Sequence, residues 1–147
     1  MKMKSAATLA LAAMMALGAC AQQNTAATSA APTAGIVLNG QELRTAKGSF
    51  VGKSKHITTG HASIARLDGK WVVILEDDFT FDGAPDPHVA LGANGYRKDA
   101  SLALLSSNTG QQVYAIPASL DVADFNEIWI WCDQFSVPLG KASLELL

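Results

Sequence analysis

The sequence predicts an all-β domain, either a small antiparallel β-sandwich or a partly closed β-barrel. Three observations carry that expectation. Leu67-Asp68-Gly69-Lys70 sets a type I′ turn signal between two β-prone runs. Short apolar runs recur along the chain, separated by glycines, prolines or Asn/Asp/Ser clusters. No apolar stripe at helical spacing extends beyond about two turns.

The first residues read as an export signal and not as part of that domain. Lys2 and Lys4 give a basic start, and residues 6–17 are apolar apart from Thr8. Such a run matches the core of a signal peptide and is shorter than the roughly 20 residues a membrane span requires. It ends in Leu17-Gly18-Ala19-Cys20, which resembles the lipobox of bacterial lipoproteins. That resemblance implies cleavage after residue 19 and a mature chain that starts at a lipidated Cys20. Several acyl chains, at about 0.8 kcal/mol per buried CH₂, make a durable membrane anchor. Ala21 stands where the lipoprotein sorting rule would need Asp for the inner membrane, so the expected location is the cell envelope, on the outer membrane.

Residues 21–35 carry no charge and no aromatic ring. They cannot bury enough apolar surface to offset their ordering entropy, and read as a flexible tether spanning roughly 20 Å. The expected organisation is therefore a signal peptide over 1–19, lipidated Cys20 and linker over 20–35, and a β domain over 36–147. Without Lys2 and Lys4 the chain has nine basic residues against thirteen acidic ones, a net charge of −4. Nucleic acid is excluded as a partner on that balance.

Within the domain, Ala62, Ile64 and Arg66 alternate with Ser63, Ala65 and Leu67 before the turn. After it, Trp71-Val72-Val73-Ile74-Leu75 is apolar at every position, as in a strand covered on both faces. Further strands are expected at His88–Leu91, Leu102–Leu105, Gln112–Ile116, Ile128–Cys132 and Ala142–Leu146. Residues 118–126 allow one helical turn at most.

Three groups of side chains are chemical candidates. With Cys20 lipidated, Cys132 is the one remaining thiol, in a compartment that oxidises thiols. Alternation along Ile128-Trp129-Ile130-Trp131-Cys132 puts it on the face of the two isoleucines, opposite the tryptophans. No cation adjoins it in sequence, which also suits an inert, buried cysteine.

The acidic segment from Glu76 to Asp86 holds five of the thirteen carboxylates. Asp78, Thr80, Asp82 and Gly83 fall at positions one, three, five and six of a calcium loop, and Asp86 at nine. Val89 occupies position twelve, where that loop needs a bidentate Glu, so an ordinary solvated loop is the simpler reading. Of the three histidines, His56 and His61 would sit on opposite faces of a continuous strand. His88 is placed to share a face with Asp86, so Asp78, Asp82, Asp86 and His88 are the weak metal candidates. Hydrolase, phosphate-loop and haem-attachment signatures are missing, and the sequence names no cofactor.

The order of these pieces resembles the DM-13 family, an extracytoplasmic electron-transfer module. The resemblance starts at Gly48-Ser49-Phe50 and passes through His56, Gly60, Ala62 and Leu75-Glu76-Asp77-Asp78-Phe79 to Asp82–Leu91. It ends in Gln112–Pro117, Ile128–Cys132 and Phe135–Ala142. Two departures fall in the loop: Ala84 separates Gly83 from Pro85, and His88 follows Pro87 where the family usually has a hydrophobic or aromatic residue. The resemblance implies a β-barrel or sandwich and a redox role centred on the cysteine that corresponds to Cys132, with a redox or protein partner that the sequence does not name. The other class of function is a non-catalytic binding module presenting the acidic loop to a partner.

Overall fold

The computed structural model describes residues 43–147; the export signal, Cys20 and the tether lie outside the described residues. Eleven strands follow one another: β1 (Leu43–Gly52), β2 (Thr58–Thr59), β3 (His61–Leu67), β4 (Lys70–Leu75), β5 (Thr80–Phe81), β6 (Pro87–Gly92), β7 (Tyr96–Leu104), β8 (Gln112–Ala115), β9 (Glu127–Cys132), β10 (Val137–Ser143) and β11 (Glu145–Leu146). Among the described residues one 3₁₀ turn, Val122–Asp124, is capped by Asp121, whose carboxylate accepts from the Ala123 N–H. Among the described residues no helix is long and apolar enough to cross a membrane.

Nine strands make one antiparallel sheet, eight of them in the order β7-β6-β9-β10-β1-β3-β4-β8 and the ninth, β11, paired beside β1. The second half of β1 pairs with β10 and its first half with β11, while β3 runs along its other edge. The sheet curls until its two ends approach, and the Ser106 N–H after β7 donates to Tyr114 Oη on β8 at 2.9 Å. This is the nearly closed barrel of the two expected architectures. Register shifts in the β1–β3, β9–β10 and β6–β7 pairs supply the bends that such closure needs. One of them sits at Pro138, which has no N–H to give the ladder. The short β2–β5 pair is fastened to the barrel by the Thr58 hydroxyl, which donates to the Leu139 carbonyl at 2.9 Å.

The Asp68-Gly69 turn forms as its residues dictate, with φ of 49° and 77°. The strand after it is buried at every position from Val72 to Leu75. Val73 and Leu75 enter the main core with Phe50, Phe79 and Ile130, while Val72 and Ile74 form a second cluster with Ala65 on the other face. Two expected strand extents change. The run at 102–105 is the tail of the longer β7, whose first half carries Arg97, Lys98 and Asp99. The stretch 142–146 is divided, because Leu144 leaves the sheet between β10 and β11, its N–H bonding the Asn126 carbonyl instead.

Candidate functional site

Strand β9 has two faces. Ile128, Ile130 and Cys132 point into the core, and the tryptophans point out, as alternation requires. Cys132 is the last residue of the strand and only 1% exposed. Its thiol donates to the Pro85 carbonyl at 3.2 Å, and the sulfur accepts the Phe135 N–H at 3.4 Å. Two surface pieces therefore cover it: the loop that leads into β6, and the turn from Asp133 to Ser136 between β9 and β10. Each contains a non-glycine residue held at positive φ, Asp86 at 48° and Ser136 at 53°. The covers are tied together by the Asp133 N–H, which donates to the Asp86 carbonyl at 3.2 Å. His88 on β6 lies between them, its Nε2 3.1 Å from Asp86 Oδ1 and 4.0 Å from Asp133 Oδ2.

The outer face carries an aromatic cluster. The rings of Tyr96 and Trp131 stack with centroids 3.9 Å apart and planes 2° from parallel, and Trp129 meets Trp131 edge-on at 6.2 Å. Tyr96 belongs to β7 and reaches Trp131 across β6, where the outward positions are His88, Ala90 and Gly92. Gly92 is obligatory in this arrangement, because a Cβ there would stand 2.3 Å from Trp129 Nε1. Glu127 organises the cluster from below: it accepts from Trp129 Nε1 at 3.0 Å, Lys141 Nζ at 2.9 Å and the Gly95 N–H at 2.7 Å. Burial works to raise the Glu127 pKa, and these donors, Lys141 foremost, outweigh it and hold the group below the usual carboxylate range. Tyr96 goes the other way. Its hydroxyl donates to Asp133 Oδ1 at 3.3 Å, and burial together with that nearby charge pushes the phenol up to about 12.

The acidic segment and the histidines are brought together pairwise. His61 Nδ1 lies 2.5 Å from Asp78 Oδ2, and the His61 N–H donates to Asp78 Oδ1 at 2.9 Å. His56 Nδ1 lies 3.0 Å from Asp82 Oδ1. With the His88–Asp86 pair, each of the three histidines has its own carboxylate. Burial tends to raise the Asp78 pKa, and the His61 hydrogen bonds overcome it and leave the group below its ordinary value. Asp82 is lowered as well, first by a hydrogen bond from the Ile57 backbone, which desolvation opposes, and then by the His56 hydrogen bond. Glu76 is buried and accepts from the Ser63 hydroxyl, whereas Asp77 is exposed.

The weak metal candidates Asp78, Asp82 and Asp86 thus face three different histidines on three different elements. Among the described residues no three His, Cys, Asp or Glu side chains converge as a metal would need. His56 and His61 do not share a continuous strand either: His56 lies in the loop before β2, and Gly60, at φ +91°, separates β2 from β3. Of the candidates, His88 and Asp86 do meet, beside the cover of Cys132. The stacking of Tyr96 on Trp131 went unmarked in the sequence. Its one signal there is the small residues of β6, Ala90 and Gly92, which leave room for rings from both sides.

Two comparisons with known proteins return nothing: no curated protein and no solved structure matches the chain. A third, against protein-family models, finds the model described as Electron transfer DM13 over residues 49–144. That stretch runs from the middle of β1 to the residue after β10, so it contains Cys132, both of its covers and the whole aromatic face. A match over so much of the chain points to an electron-transfer-related role and shows that this protein belongs to the DM13 family.

Proposed function

We propose that the protein is an envelope lipoprotein, anchored by lipid on Cys20, whose domain transfers electrons through the thiol of Cys132. The observation that carries this reading is the position of the sulfur: it ends a strand, one layer below the surface, beneath two loops joined by few bonds. The Phe135 N–H at 3.4 Å from Sγ and the Pro85 carbonyl at 3.2 Å hold the sulfur under these two loops. The reaction that suits a lone thiol is exchange with a disulfide of an exported partner. The Cys132 S–H proton goes to solvent, the thiolate attacks one partner sulfur, and a Cys132–partner disulfide forms as the partner's own S–S bond breaks. The departing sulfur leaves as thiolate, and the mixed disulfide is the oxidised form of the domain. Opening of the Asp82–Asp86 loop or the Asp133–Ser136 turn supplies access.

The binding-module reading has less in its favour, because Asp82 and Asp86 are each occupied by a histidine. The test of the thiol reading is labelling of Cys132 in the folded chain with an aromatic disulfide, followed by mass spectrometry. A single adduct should form faster than global unfolding permits, and faster still in Asp133→Asn, which weakens the tie to His88 and Tyr96. An adduct that forms only in denaturant would make Cys132 a core residue and leave binding as the better account. For the anchor, Cys20→Ser should abolish incorporation of labelled fatty acid and release the protein from the membrane fraction; a variant that stays membrane-bound would refute it.

A further inference from the structure

The electron-transfer reading above uses the inner face of β9 and leaves the outer face unexplained. That face holds an oxidisable pair with a built-in proton acceptor. Tyr96 and Trp131 are in parallel contact at 3.9 Å, close enough for their π systems to share a missing electron. The phenol O–H points at Asp133 Oδ1, 3.3 Å away, and Asp133 also has His88 Nε2 at 4.0 Å. We propose that Tyr96, stacked on Trp131 and bonded to Asp133, is a one-electron donor site for an oxidant of radical or high-valent metal type that meets this face of the barrel.

One electron passes from the stacked pair to the oxidant, the Tyr96 O–H bond breaks, and the proton goes to Asp133. The products are a neutral phenoxyl on Tyr96, a carboxylic acid at Asp133 and the oxidant reduced by one electron. A one-electron reductant, together with the proton returned from Asp133, restores the site.

The rest of the molecule shows why this pair and no other carries the role. The second tyrosine, Tyr114, donates to the neutral amide oxygen of Gln112 at 2.6 Å, which cannot take up a proton near neutrality. Trp71 has the Arg66 guanidinium 5.4 Å above its ring, and Trp129 has the Lys141 ammonium at 5.7 Å. A cation in that position opposes a positive charge on the ring. Trp131 has no such cation among the described residues, and the Asp133 carboxylate lies beside its partner. The high phenol pKa of Tyr96 keeps its proton in place until the electron leaves.

The experiment is flash oxidation of the full chain with a ruthenium tris-bipyridyl sensitiser and a cobalt(III) quencher, read by transient absorption and electron paramagnetic resonance. The wild type should give a tyrosyl radical as its main product. Tyr96→Phe keeps the ring stack, loses that signal and leaves a longer-lived tryptophanyl band; Tyr114→Phe keeps the tyrosyl signal. Asp133→Asn should slow tyrosyl formation and make its rate depend on buffer base, which a merely structural role would not do. A tyrosyl signal that persists in Tyr96→Phe, or disappears in Tyr114→Phe, would overturn the proposal. Cys132→Ser decides the thiol reading and should leave the Tyr96 radical in place, so the two can fail separately.

Discussion

The two faces of strand β9 are held by different physics. Inward, Ile128, Ile130 and Cys132 are fixed by volume: each is at most 1% exposed, and the sulfur has only two long hydrogen-bond contacts. Outward, Glu127, Trp129 and Trp131 are fixed by direction, through three donors on one carboxylate and a parallel ring stack. One strand thereby serves as a wall of the core and as a polar-aromatic platform. A substitution's cost on this strand therefore depends on the parity of its position.

The sharpest way to break that contrast is at Ile130. Ile130→Ala leaves a cavity in a closed core and should cost about 2–5 kcal/mol in denaturant unfolding. A cost below about 1 kcal/mol would mean that the inner face is free to collapse and is not held by volume. On the outer face, Glu127→Ala strips the acceptor from Lys141, Trp129 and Gly95 and should cost about 1–3 kcal/mol. Its signature would be a change in near-ultraviolet circular dichroism from the released indole. Unchanged aromatic dichroism would show that the rings are held by stacking alone.

A smaller effect is expected at Tyr96→Phe, which deletes the hydroxyl and keeps the stack. The loss should be about 0.5–1.5 kcal/mol, and a double-mutant cycle with Asp133→Asn should recover most of it as coupling. Additive losses would deny the bond.

Strand parity was legible in advance because alternation in Ile128-Trp129-Ile130-Trp131-Cys132 needs no partner to be known. The Asp68-Gly69 turn was legible for the same local reason. Strand β1 and the first half of β7 were not, since Lys47, Gly48 and Ser49, like Arg97, Lys98 and Asp99, have no strand-like pattern until the neighbours that pair with them are in place. The stack of Tyr96 on Trp131 and the three His–Asp pairs depend on register between distant segments. That information lies in the curl of the whole sheet, not in any window of sequence.

The smallest effect concerns acid. His61 hydrogen bonds hold the Asp78 pKa below its ordinary 3.8, although burial alone would raise it. The unfolded chain regains the ordinary value, so this pairing stabilises the fold above 3.8 and loses its contribution as pH falls through the depressed value. Asp78→Asn should therefore show a shallower fall in Tm than the wild type on going below pH 3.8. Identical profiles would mean that the pair contributes nothing net, as many exposed pairs do.

The position of β1 has a consequence for how the molecule comes into being. The earliest described strand lies between β3 on one side and the two latest, β10 and β11, on the other. A nascent chain can close the β3–β4 hairpin early, but one edge of β1 must wait until nearly the whole polypeptide has been delivered. Assembly is thus postponed to the end of synthesis, and the rate of closing that long loop governs how quickly the barrel becomes complete.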